Sequence, residues 1–159
     1  MALLISEDEI IKTSFEINFL KDKCETKLPI SWIPYKLILQ SAEKNLIFET
    51  PTANRGSGDY VIALKPVNEI ENCIKGIKNF LTIETKMIYS FEPLEPSFEL
   101  ILERSHKGYS VTCWVDAGNV ISDHYSWDGF GLRFFTTEEK INSFVSELSK
   151  EKEELLNVC

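Results

Sequence analysis

Two histidines and four cysteines are all that 159 residues offer to metal or redox chemistry. Cys24, Cys73, Cys113 and Cys159 are scattered, with no CxxC pair, and neither His106 nor His124 stands at ligand spacing from another donor. The cysteines read as reduced thiols, with Cys73 and Cys113 as small buried hydrophobes, and no metal or cofactor is expected. There is no G-x-S-x-G, HExxH, Walker A or GxGxxG motif, so no familiar nucleophile elbow, zinc helix or phosphate cradle is present. No apolar run approaches the roughly 18 residues of a membrane span. The opening Met-Ala-Leu-Leu-Ile-Ser-Glu-Asp-Glu lacks a basic n-region, so a chain starting at Met1 and working in the cytoplasm is expected. Basic clusters are also missing. Seventeen Lys and Arg face 25 Asp and Glu, giving a net charge of −8 and a pI near 4.9. Direct nucleic-acid binding needs a basic face and is not expected, whereas a basic protein partner fits this charge.

With 43% hydrophobic and 26% charged residues, the composition is that of a globular chain, and the length suits a single domain over 1–159. Short strand-like runs, Phe15–Leu20, Tyr35–Gln40, Leu46–Glu49 and Tyr60–Leu64, fill a strand-rich region, 1–66, between turn residues such as Pro29, Pro34 and Pro51. Leu3–Ile11 reads as a strand or a helical turn. Pro66, and Asn68 with Glu71, mark a helix over 67–81 with an apolar stripe of Ile70, Cys73, Ile74, Ile77, Phe80 and Leu81. An antiparallel meander over 83–135 follows, with runs at Ile83–Phe91, Phe98–Arg104, Tyr109–Asp116, Val120–Trp127 and Leu132–Phe135. Thr136 with Glu139 announces a C-terminal helix, 137–154, striped by Ile141, Phe144, Val145 and Leu148; its Ser-Lys-Glu-Lys-Glu-Glu end reads as solvated and prone to fray. The expected class is α+β: two strand-rich halves, each followed by a helix, with antiparallel sheets packed against two main helices.

Alternation separates the faces of the second sheet. Leu100, Leu102, Val111, Cys113 and Val115 fall on one side, and Glu99, Ile101, Glu103, Trp114 and Asp116 on the other. A hairpin loop at Lys107-Gly108 would set Ile101 opposite Trp114 and Glu99 opposite Asp116. An indole and an isoleucine among carboxylates make a plausible anchor ringed by charge. A hairpin at Ala117-Gly118-Asn119 would turn Ile121, Tyr125 and Trp127 inward and Asp123 with them, so Asp123 needs a bulge or a partner such as Arg133 or Arg104. His124, with Asp116, Asp123 or Asp128, is the candidate for an alternative reading as a small metal-dependent or hydrolytic enzyme, though Asp123 and His124 point to opposite faces. A housekeeping adaptor or assembly protein is a further alternative. Glu92-Pro93-Leu94-Glu95-Pro96 is held extended by its prolines and reads as a strand connection, or as a rim presenting Glu92 and Glu95.

Phe91 to Pro96, Tyr109 with Trp114-Val115-Asp116-Ala117-Gly118-Asn119, and Gly131-Leu132-Arg133-Phe134-Phe135-Thr136-Thr137 together resemble the WapI-type immunity proteins. The resemblance covers about the second half of the chain. It implies a cytoplasmic protein that binds and neutralises the C-terminal domain of a cognate toxin by stoichiometric occlusion, without catalysis. A basic toxin, often a nuclease, suits the acidic charge. The expected contacts are Glu99, Ile101, Glu103, Trp114 and Asp116, with Glu92 and Glu95 at the rim.

Overall fold

The computed structural model describes residues 1–21, 33–49, 63–64, 66–93, 98–116 and 129–158. Within them run β1 (Ala2–Ile5), β2 (Thr13–Phe19), β3 (Ile33–Ser41), β4 (Lys44–Glu49), β5 (Ala63–Leu64), α1 (Pro66–Thr82), β6 (Ile88–Phe91), β7 (Phe98–Ser105), β8 (Gly108–Asp116), β9 (Gly129–Thr136) and α2 (Glu138–Val158). One antiparallel sheet has the order β1-β2-β3-β4, with β5 also on β3; the other is β6-β7-β8-β9. The α+β class expected from the two strand-then-helix halves is the class observed.

Each sheet turns its alternating apolar residues toward one shared core. Leu4, Phe15, Ile17, Tyr35 and Leu37 come from the first sheet, and Phe98, Leu100, Leu102, Val111, Cys113 and Val115 from the second. Phe98 is where they meet. Its ring centroid lies 5.8 Å from those of both Phe15 and Tyr35, and 6.0 Å from that of Phe91. Tilted and edge-on pairs of this kind contribute about 0.5–1.5 kcal/mol each beyond the area they bury. The α1 stripe is buried at Ile70, Cys73, Ile74, Ile77 and Phe80, with Leu81 half-buried, and Phe144 of α2 reaches Phe15 at 6.1 Å.

Both helix starts differ from the expected caps. Pro66 is itself the first residue of α1, where its missing N–H costs nothing, so Asn68 sits inside the first turn and Glu71 pairs with Lys75 at 2.7 Å. At α2 the cap is Thr137, whose Oγ1 accepts from Lys140 N at 3.4 Å; the Thr136 hydroxyl instead donates to Ile5 O at 2.7 Å. Nor does α2 end at residue 154. It continues to Val158 because its last turns are packed: Leu155 is buried, and the Glu151 carboxylate lies 3.1 Å from Lys21 Nζ, which also pairs with Glu154. Burial alone would lower the Lys21 ammonium, but Glu154 and Glu151 outweigh it and hold it above the ordinary 10.5.

The end of α1 and the start of α2 are joined through one arginine. Arg104 Nη2 donates to Phe80 O at 2.8 Å and Leu81 O at 2.9 Å, satisfying carbonyls that the helix end leaves free. Its Nη1 donates to Tyr109 Oη at 3.0 Å, and Tyr109 in turn donates to Glu138 Oε2 at 2.9 Å. The guanidinium lies 5.2 Å from the Phe80 ring centroid and 5.4 Å from that of Tyr109. Arg104 Nε also donates to Lys86 O at 3.2 Å and Lys86 N to Ile83 O at 3.0 Å, so the chain after α1 first turns, and β6 begins at Ile88 rather than at Ile83.

Candidate protein-binding face

The outward face of the second sheet is set by the β7–β8 register. Observed pairs are Glu99 with Trp114, Ile101 with Thr112, Leu100 with Cys113 and Ser105 with Gly108. This slips by two residues from the expected register, because the loop is His106-Lys107 and Gly108 closes it with a φ of +104° that glycine adopts without strain. A two-residue slip leaves every side chain on its face and changes only its neighbour. The expected clash of Glu99 with Asp116 is therefore absent: Glu99 has the indole across from it, and Asp116 lies beside Gly129 at the sheet end.

The other flank of β8 pairs with Gly129–Thr136, from Tyr109 with Thr136 to Asp116 with Gly129. Val120–Trp127, expected there as the hairpin partner, lies outside the described residues, as do Asp123, His124, Asp128 and Glu95. Glu92 is exposed just beyond β6, and Glu99, Ile101, Glu103 and Asp116 are half-buried.

Trp114 is 47% exposed. Its six-membered ring lies against Gly131, its β9 neighbour, so closely that any Cβ there would overlap it. Glycine gives the indole a backbone seat that no other residue leaves open. Arg133 lies one row away, where its Nε donates to Thr112 Oγ1 at 2.9 Å. Thr112 is almost fully buried although it points outward, an outcome alternation alone does not signal. Phe135 and Ile88, 42% and 54% exposed, complete the next row with Glu103 and Ser110. The sequence reading missed Arg133, Phe135 and Ile88 on this face; extending the alternation one strand to either side would have found them. The face thus combines an aromatic anchor, a half-buried and an exposed isoleucine, carboxylates and one guanidinium.

Nucleophilic chemistry finds no support in the buried thiols. Loss of water pushes the Cys73 thiol up to about 12 and drives that of Cys113 upward as well, so both stay protonated and unreactive near neutral pH. Among the described residues no three His, Cys, Asp or Glu side chains gather as a metal-holding group, and no helix is long and apolar enough to cross a membrane. Arg104 and Arg133, the expected partners of Asp123, hold helix-end carbonyls and Thr112 respectively.

Comparisons with family models, curated proteins and solved structures find no match to this chain.

Proposed function

We propose that this protein is an immunity protein that binds a basic toxin domain and occludes its working surface without turnover. The carrying observation is the half-exposed Trp114, fixed on a rigid sheet beside Glu99 and flanked by Ile101. Large aromatic side chains seated this way are the usual energetic centres of protein interfaces. The net charge of −8 supports a basic partner, whose approach long-range attraction would speed. The resemblance of Trp114–Asn119 and Gly131–Thr137 to WapI-type immunity proteins supports toxin neutralisation as the purpose and the cytoplasm as the setting. The contact surface in this reading is Glu99, Ile101, Glu103, Trp114 and Asp116, with Glu92 and Glu95 at its rim.

Where a large secreted protein is encoded immediately upstream of this chain, co-expression with its C-terminal domain tests the reading. Relief of growth arrest is expected, with Trp114→Ala and a Glu99→Lys/Asp116→Lys charge reversal each weakening the complex by about tenfold or more, while the exposed Lys150→Ala and Glu153→Ala leave it unchanged. Unrelieved arrest, or the lack of such a neighbouring toxin domain, would sink the reading. Equal affinities across all variants would place the contact elsewhere.

A further inference from the structure

Ile10 is 94% exposed, the highest value for a large apolar side chain among the described residues, and Ile11 beside it is 52% exposed. They sit on a loop that is tightly held. Asp8 Oδ1 accepts from Ile10 N at 2.8 Å and Ile11 N at 3.0 Å, and these two donors keep the Asp8 carboxyl below its ordinary 3.8. Ser6 Oγ accepts from Thr13 N at 3.1 Å, closing the loop base. Glu7 N donates to Phe135 O at 2.8 Å, and Lys140 Nζ donates to Ser6 O at 2.6 Å, fastening the loop to β9 and α2. A loop ordered in advance loses little freedom on binding, so exposed isoleucines here act as fixed contacts.

Between this loop and β9 lies an open cleft of about 380 Å³, lined by Ile11, Phe135, Lys107 and Arg133 among others. That volume falls within the range of roughly 300–1,000 Å³ typical of binding pockets. The cleft is continuous with the Trp114 face, since Gly131, Arg133 and Phe135 alternate outward along β9. Charge is patterned across it. The loop carries Glu7, Asp8 and Glu9, while Lys107 and Arg133 have no ion pair among the described residues; Lys107 Nζ lies over the Phe135 ring at 5.9 Å.

We infer that the Ile10–Ile11 loop and the cleft behind it form the second half of the partner-binding surface. Its occupant is a protein, basic where it meets Glu7, Asp8 and Glu9, that sends an apolar side chain with an adjoining carbonyl or carboxylate between Ile11 and Phe135 toward Arg133 and Lys107. A small molecule filling the cleft would leave Ile10 in water, whereas a protein surface covers loop and cleft together. The inference rests on the reading that the Trp114 face binds a protein, and it extends that face by one loop.

Titration of the full chain against the neighbouring toxin domain, by calorimetry, tests it. The Ile10→Ser/Ile11→Ser double variant is expected to lose about tenfold or more in affinity at unchanged melting temperature, and Arg133→Gln several-fold. Amide exchange at Ile10 and Ile11 should slow in the complex. If the double variant binds like the parent while Trp114→Ala binds weakly, the inference fails and the Trp114 reading stands. If the parent does not bind, or neither variant differs from it, both fall. Light scattering on the chain alone adds another arm: a dimer dissolved by the double variant would assign this surface to a second copy and overturn the proposal.

Discussion

In the first sheet, β1 is closed off by α2: Leu3 N donates to Glu147 Oε2 at 2.8 Å, giving the edge strand a partner from a helix rather than from another chain. In the second sheet, β8 and β9 present Trp114, Arg133 and Phe135 outward, and the helices pack on the opposite, inner side. The inner faces of the two sheets obey the same alternation and meet at Phe98. What separates the sheets is how each is finished. At its β1 edge the first has a carboxylate that satisfies a backbone donor, though Leu46 and Ile47 of β4 stay exposed; the second carries an anchored aromatic that no element of the described fold covers.

The largest expected effect abolishes the contrast by loosening both sheets together. Phe98→Ala removes the ring that meets Phe15 and Tyr35 and should cost about 3–5 kcal/mol, read as a lowered denaturation midpoint in urea. A loss below about 1 kcal/mol would mean that the sheets do not depend on one another there. Next, Gly131→Val puts a side chain where the Trp114 ring lies and acts on the second sheet alone. A loss of about 1–3 kcal/mol is expected, together with a shift in tryptophan emission, and unchanged emission would show that the indole does not rest on Gly131. The smallest change sharpens the contrast from the other side. Glu147→Ala strips the β1 edge of its acceptor, at a cost of about 0.5–1.5 kcal/mol and with faster amide exchange at Leu3, while the tryptophan emission stays as it was.

Periodicity made the interior legible. The stripes Ile70–Phe80 and Ile141–Leu148 are buried, as are the inward residues of Phe98–Asp116, because burial repeats with the helix and strand periods. Neighbour relations were harder to read. Lys107-Gly108 and His106-Lys107 loops differ by two residues in register yet preserve every face, so hydropathy cannot choose between them; the left-handed backbone at Gly108 does. The α2 end was misread because Glu151 looks like a solvent residue until Lys21, 130 positions away in the chain, is seen beside it. At the candidate face, Trp114 and its carboxylates were legible by alternation. The isoleucine loop was not, since Leu3–Ile11 read as a strand or a helical turn, and only the fold shows that the strand stops at Ile5 and that Asp8 and Ser6 hold a loop with Ile10 and Ile11 outward.

The seat of Trp114 on Gly131 separates two kinds of information on one surface. The anchor's position is written in main chain, which changes slowly under substitution, because what supports the ring is a residue without a side chain. Its neighbours Glu99, Ile101 and Arg133 come from three different strand positions. If the face binds a partner as proposed, substitutions among them would alter which surface it prefers while leaving the anchor on Gly131. Under the proposed immunity role, a changing toxin is met by new neighbours around an unmoved point of grip.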